Sequence, residues 1–213
     1  MPFSVLMGCV PASSGTQAVY QSVETVVASR RAAPLDELRV RQTGAGVLRA
    51  SFDGKSAVYL GLDRVDPVEY VMDFKSEDRR LLQLYNGQLR GSVGWPHDVL
   101  AVKALGADPF FDGFKDLHPA KTFFWTLNVP GVGSGLIAES RYQPTGTTTV
   151  ETLYGQWQLR QIEEVWVVDD LNFRRINRYW IDDEGIVVRS IQQTVPMLPE
   201  MDLTLHSYGV ALQ

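Results

Sequence analysis

The rhythm of apolar and polar positions changes once along this chain, near residue 46. Before it, Val19, Val23, Val26 and Val27 recur at the spacing of one helical face, with Thr16 placed to cap the start and Arg30-Arg31 in the last turn, so a helix is expected over Thr16 to Arg31. After it, short apolar and β-branched runs alternate with turn residues, the pattern of antiparallel strands. Strands are expected at Val47–Phe52, Ala57–Leu62, Val68–Phe74, Leu81–Tyr85 and Gln88–Val93. The last two flank Asn86-Gly87, a dipeptide suited to a type I′ hairpin because both central residues need positive φ. A short internal helix is expected at Asp98–Leu105, where Val99, Leu100, Val102 and Leu105 can share a face, followed by a crossing loop from Gly106 to Pro119. Strands resume at Thr122–Val129, Gly135–Tyr142, Thr148–Leu153, Gln156–Gln161, Glu163–Val168, Phe173–Asp182, Ile186–Val195 and Met201–His206, with tight connections at Tyr154-Gly155 and Asp182–Gly185.

Helical patterns do not alternate with these strands, so the crossovers that a parallel sheet requires are missing. The expected fold is all-β: an antiparallel β-sandwich or partly open β-barrel with an N-terminal helix and one short internal helix. Residues 1–15 read as a partial lipoprotein signal and tether, and residues 16–213 as a single β-rich domain.

Composition narrows the function. A chain of 213 residues that is 45% hydrophobic and 21% charged can bury a sizeable core. Its net charge of -5 argues against general nucleic-acid binding, which needs a basic surface to neutralise phosphates. One cysteine excludes an internal disulfide and the usual cysteine-based metal sites. No stretch approaches the roughly 18 apolar residues of a membrane-spanning helix.

That cysteine, Cys9, closes Leu6-Met7-Gly8-Cys9, which matches the bacterial lipobox, and the small polar run Val10 to Thr16 behind it suits a flexible tether. Only eight residues precede Cys9, none of them Lys or Arg, whereas a signal peptide needs a basic start and an apolar stretch of roughly 7–15 residues, so a longer native leader is expected. Any membrane attachment is expected through the Cys9 lipid. A free thiol without a role is the bland alternative.

Catalytic machinery is thin, and neither a catalytic residue nor a cofactor is expected. His97, His118 and His206 are scattered and form no metal-binding helical motif. Asp98 reads as a helix cap, and a loop metal site from Asp112, Asp116 and His118 is weakly constrained by spacing. Ser134 lacks the Gly-x-Ser-x-Gly spacing of a nucleophile elbow. Asp169-Asp170 and Asp182-Asp183-Glu184 could supply the acid and base of a glycosidase, but each sits at a strand end, where Asp usually makes turns. An enzyme acting on a polysaccharide, a hydrolase or modifying enzyme, is the rival reading.

Two segments are more specific: Leu81-Leu-Gln-Leu-Tyr-Asn-Gly-Gln-Leu-Arg-Gly-Ser-Val-Gly-Trp-Pro-His-Asp-Val-Leu100, and Asn172-Phe-Arg-Arg-Ile-Asn-Arg-Tyr-Trp-Ile-Asp-Asp-Glu-Gly-Ile-Val-Val-Arg-Ser-Ile-Gln-Gln193 with Pro196 and Pro199 after it. Together with the lipobox they resemble the YjbF/GfcB family of group 4 capsule polysaccharide lipoproteins. The resemblance implies an all-β, lipid-anchored protein of the outer membrane facing the periplasm, with a non-catalytic role in capsule or exopolysaccharide assembly or export. Implied partners are the polysaccharide and other export proteins. Val10, rather than Asp, after the cysteine implies outer-membrane sorting of the enteric type.

The word Asn177-Arg-Tyr-Trp-Ile-Asp182 also has a plain physical reading. In a strand Asn177, Tyr179 and Ile181 face one way, and Arg178, Trp180 and Asp182 the other. With Ile181 opposite Ile186, Arg178 would face Arg189, a like-charge pair that calls for a carboxylate such as Glu163 or Glu164, or for an anionic sugar. Arg174, Arg178, Trp180 and Arg189 are therefore the candidate contact for an acidic polysaccharide or partner. The alternative is a buried Trp180 beside carboxylate-paired arginines, since most of the five Trp are expected in the core.

Overall fold

The computed structural model describes residues 46–66, 68–115, 117, 121–152 and 155–208. Cys9, the tether and the helix expected over Thr16 to Arg31 lie outside these residues, and no α-helix occurs among those described. Twelve strands do: β1 (Gly46–Phe52), β2 (Val58–Val65), β3 (Val71–Lys75), β4 (Leu81–Tyr85), β5 (Gln88–Val93), β6 (Ala101–Ala104), β7 (Phe123–Val129), β8 (Gly133–Thr152), β9 (Gly155–Val168), β10 (Phe173–Ile181), β11 (Val187–Gln192) and β12 (Met201–Tyr208). They form one sheet in the order β5-β4-β3-β2-β1-β12-β11-β10-β9-β8-β7-β6. Each sequential hairpin pairs antiparallel, and β1 pairs with β12 across the chain's span. The sheet curls until its two edge strands, β5 and β6, lie side by side without a ladder, their short connection drawn together by the Ser92 amide, which donates to the Val99 carbonyl at 2.7 Å. Of the expected architectures, the nearly closed barrel is the one formed.

Period-two alternation builds the wall. In β7 the side chains of Phe123, Trp125, Leu127 and Val129 are buried, and in β9 those of Ile162, Glu164, Trp166 and Val168. The loop after β6 supplies further filling: Phe110 packs edge-on against Phe114, Tyr142 and Tyr179. This plug is fastened to the β10–β11 turn, because Asn86 Nδ2 donates both to Phe110 O, at 3.0 Å, and to Gly185 O, at 2.9 Å.

The Asn86-Gly87 hairpin forms as expected, with φ of 41° and 77°. The internal helix expected at Asp98–Leu105 does not form: Ala101–Ala104 is strand β6. Val99 and Val102 are buried while Leu100 and Leu105 are exposed, so these four residues share no face. Pairing with β7, from Ala101 opposite Asn128 to Ala104 opposite Trp125, satisfies the backbone instead. Strands expected separately at Gly135–Tyr142 and Thr148–Leu153 are one strand, β8, which passes Pro144 and Gly146 through a register shift. Asp182–Gly185 is a turn, but a bulge at Trp180/Ile181 sets Ile181 opposite Val187, so Arg178 faces Ile191 and Arg189 faces Trp180. The expected Arg178–Arg189 opposition is thereby removed.

One hairpin outruns the barrel. β7 pairs with β8 only as far as Ser140, and β10 with β9 only as far as Arg160, while β8 and β9 continue to pair to Thr152 opposite Gly155. The resulting two-stranded arm folds Val150 and Leu159 onto Trp180 and Val188 in a small second cluster.

Candidate functional site

Arg90 sits where the barrel fails to close. β5 and β6 share no ladder, and the Arg90 side chain crosses the gap: Nη2 pairs with Asp108 at 2.5 Å and Nη1 lies 3.5 Å from Val102 O. Its guanidinium stacks over Tyr85 at 4.9 Å and Trp125 at 5.0 Å, which explains how a cation is held with 11% of its side chain exposed. The Nε of Arg90 is buried without an acceptor. Beside it Gly91 leaves space for Gln83; a Cβ at Gly91 would lie 2.5 Å from Gln83 Oε1. Gln83 in turn donates to Asp73, which also receives Arg64 at 3.0 Å.

Over this bridge lies a groove of about 420 Å³. The loop between β2 and β3 contributes Val68 and Tyr70, β6 and its approach Leu100 and Lys103, and the plug loop Phe111; Tyr85 and Arg90 lie deeper. Phe111 is 75% exposed and Tyr70 60%, unusual for aromatic rings that share one concavity. Two of the three carboxylates here, Asp66 and Asp108, are engaged in structure, and Glu69 is exposed. Asp66 is held below the usual carboxylate range by the amides of Glu69 and Val68, which it accepts within the loop. Asp108 accepts Arg90 and the Phe110 amide. Burial, and then the Asp108 charge, raises the Tyr85 hydroxyl above its ordinary value, so it remains a neutral donor. Arg64, Arg90 and Lys103 balance Asp66, Glu69 and Asp108 among the lining residues.

The barrel's other polar constellation is sealed. Glu164 is fully buried and accepts from Tyr142 Oη at 2.5 Å, Asn177 Nδ2 at 2.7 Å and Tyr179 Oη at 2.9 Å. Burial raises its pKa, against the lowering effect of these donors, and pushes both tyrosines well above their ordinary range. The Ser140 hydroxyl, which accepts Trp125 Nε1 at 2.7 Å, extends the network to β7.

The residues singled out by sequence do share the outer wall. Arg174, Arg178 and Trp180 alternate along β10, and Arg189 lies opposite Trp180. Arg178 pairs with Glu163 at 3.0 Å and Arg189 bidentately with Asp202 at 2.9 and 2.8 Å. Trp180 is 6% exposed, with Arg189 stacked 4.8 Å from its ring, so it offers no open face to a sugar; Arg174 is exposed. Of the loop metal candidates, Asp116 and His118 lie outside the described residues, and no metal-sized cluster occurs among those described. Ser134 bonds Asn128 in the β7–β8 turn, and Asp182 accepts the amides of Glu184 and Ile186 in the β10–β11 turn. Tyr85 and Arg90 fall within the segment Leu81–Leu100 that carries the family resemblance but have no site role by sequence, and Tyr70 and Phe111 come from two other stretches that share no motif with it. The one local signal is large aromatics inside turn-rich loops, at Tyr70 and Phe110-Phe111.

No curated protein matches the chain. Among solved structures, the hypothetical lipoprotein YmcC of Escherichia coli K12 superposes with a TM-score of 0.71 at 14% identity, covering 93% of this chain and 98% of that one. A Bacteroides fragilis protein with a YmcC-like fold matches at a TM-score of 0.35 and 13% identity, covering 76% of this chain and 93% of its own. The first likeness fixes the fold. The family model of group 4 capsule polysaccharide lipoproteins, GfcB and YjbF, matches residues 20–205, which takes in all twelve strands but the last residues of β12. With both the barrel and nearly the whole sequence accounted for, the chain belongs to the YjbF family of capsule polysaccharide lipoproteins.

Proposed function

We propose that this protein is a lipoprotein of the outer membrane, anchored through Cys9 and facing the periplasm, that binds saccharide without turning it over during capsule or exopolysaccharide assembly or export. The observation that carries this reading is the seam groove. Two exposed aromatic faces, Tyr70 and Phe111, flank a concavity whose volume of about 420 Å³ falls in the ~300–1,000 Å³ range of small-ligand sites. Aromatic faces pack against the apolar faces of pyranose rings, while Lys103, Arg90 and the Tyr85 hydroxyl supply donors for sugar oxygens.

A non-catalytic role is favoured because two of the groove's three acids are committed elsewhere, Asp66 to its own loop and Asp108 to Arg90, which leaves Glu69 without the second free carboxylate that an acid–base pair requires. The carboxyl with a raised pKa, Glu164, is enclosed in the barrel beyond reach of a polymer. Of the outer wall, the exposed Arg174 and the carboxylate-paired Arg178 and Arg189 are retained as a second contact, for an export protein, while the buried Trp180 packs beneath Arg189.

Two measurements test the reading. Cells expressing the gene with its native leader are labelled with clickable palmitate and fractionated; label on wild type, lost in Cys9→Ser, in outer-membrane fractions is expected, and a well-expressed unlabelled wild type refutes the anchor. Purified protein is then incubated with the strain's own polysaccharide. Saturable binding without release of reducing ends is expected, whereas steady release transfers the case to a hydrolase.

A further inference from the structure

The arm formed by β8 and β9 carries an open strand edge. Beyond Ser140 no neighbouring strand pairs with the β7 side of β8 among the described residues, although β8 continues to Thr152. From Gln143 to Thr152 this edge is about 34 Å long at ~3.4 Å per residue. Side chains 144–149 are all exposed, and the arm's buried apolar contribution is Val150 and Leu159. A two-stranded ribbon with so little buried surface is marginal in water by itself. Five of the six residues from Thr145 to Val150 are β-branched, so the sequence nevertheless favours extended backbone there.

We propose that this edge is the interface with a second copy of the same chain, the two β8 strands pairing antiparallel about a two-fold axis beside Thr148. An antiparallel edge is self-complementary under such an axis, since each free donor or acceptor meets its counterpart in the other copy. Edge strands that must stay single carry Lys or other charges. This one carries no ionisable side chain from Gln143 to Val150, so self-pairing brings no like charges together over that stretch. With the axis beside Thr148, Thr147 lies against Thr149 of the second copy, and the threonines form cross-strand pairs of the kind that stabilise sheets. The bulge at Pro144/Gly146 ends the pairing surface toward the barrel. The joined arms would make one four-stranded ribbon between two barrels and bring two seam grooves into one particle.

The test is sedimentation of the full chain carrying Cys9→Ser, which keeps it soluble and removes stray thiol chemistry. Wild-type sequence in this background is expected to sediment as a dimer at tens of micromolar. Thr147→Glu combined with Thr149→Glu places like charges opposite one another twice across the two-fold, and is expected to weaken association by about tenfold or more. Within one copy Thr147 lies opposite Arg160, so the new carboxylate is compatible with the folded monomer, and an unchanged melting curve at low protein concentration confirms it. Thr148→Cys in the same background is expected to form an interchain disulfide readily, because directly opposed residues of an antiparallel pair bring their Cα atoms to ~4.5–5.5 Å, within the span that a disulfide bridges. Glu151→Cys, separated from its own copy by about 20 Å at this register, is expected not to. A wild-type chain that remains monomeric at several hundred micromolar overturns the proposal. So does a dimer indifferent to the double substitution, or one that crosslinks equally through both cysteines.

Discussion

Replacing Glu164 by Leu isolates what the sealed polar network contributes. The substitution removes the acceptor of three buried donors: Tyr142 Oη, Tyr179 Oη and Asn177 Nδ2. Tyr142 Oη still accepts the Ser140 hydroxyl at 3.2 Å, but its own proton loses its acceptor. Three donors are thus orphaned, and at ~1–3 kcal/mol each the loss is about 6 kcal/mol before relief from no longer burying a carboxyl. At ~2–4 °C per kcal/mol for a chain of this size, the melting temperature should fall by roughly 12–24 °C. Adding Tyr142→Phe and Tyr179→Phe to Glu164→Leu removes donors along with the acceptor and should recover about half of that loss. Thermal denaturation followed by near-UV circular dichroism reads both. A Glu164→Leu variant as stable as wild type, or a triple variant no better than the single one, would refute the assignment of Glu164 as the acceptor that organises this wall. The pH dependence has a definite sign. Burial raises the folded pKa of Glu164 above its ordinary value of 4.5, so above that pH the unfolded chain releases a proton that the folded chain still holds. Its contribution to stability is therefore full below about pH 4.5 and declines as pH rises toward the folded pKa; Glu164→Gln should flatten that slope.

His206 should act in the opposite sense: burial, with help from Arg49, lowers its pKa to about 4, so the unfolded chain takes up a proton first as pH falls through 6.5. Stability should drop between pH 6.5 and 4 by ~1–2 kcal/mol after allowance for screening near the barrel rim, and His206→Gln should remove the drop in urea titrations. Trp180→Ala should cost ~3 kcal/mol by uncovering the Val150–Leu159 cluster, whereas Trp180→Phe should cost little because the indole Nε1 has no hydrogen-bond partner; equal losses in chemical denaturation would contradict this. Gly185→Ala places a Cβ 2.7 Å from the Gly113 Cα at a φ of +90°, and should destabilise by more than ~2 kcal/mol while loosening the plug loop, visible as faster amide exchange around Phe110.

Much of the barrel was legible because its information is local. Asn86-Gly87 needs positive φ wherever it occurs, and β4 and β5 begin and end where their alternation does. A helix is expected where β6 forms because four apolar residues in eight suit either period. What decides between them is β7, which starts nineteen residues after β6 ends and supplies the partners for Ala101–Ala104. Two strands are expected where β8 forms because Pro144 and Gly146 look like a break, yet a bulge lets one strand pass both. The bulge at Trp180/Ile181 had no signature, and it moved Arg189 from Arg178 to Trp180. The arginine wall could be named because its members lie on two adjacent strands. The groove could not, since Tyr70, Arg90 and Phe111 converge only after the sheet has curled far enough to bring β5 to β6.

The most direct test of saccharide binding at the seam is a calorimetric titration of the full Cys9→Ser chain with oligosaccharides from its own strain's polymer, at low and high salt. Tyr70→Ala and Phe111→Ala, each at an exposed side chain and so expected to fold normally, should each weaken binding by about tenfold, in line with ~1 kcal/mol or more per stacked ring. Because the lining charges balance, affinity should change little with salt, and Arg178→Ala should bind as wild type does. Full affinity in both folded aromatic variants, or binding abolished by salt and by Arg178→Ala instead, would contradict the account and move the site to the arginine wall.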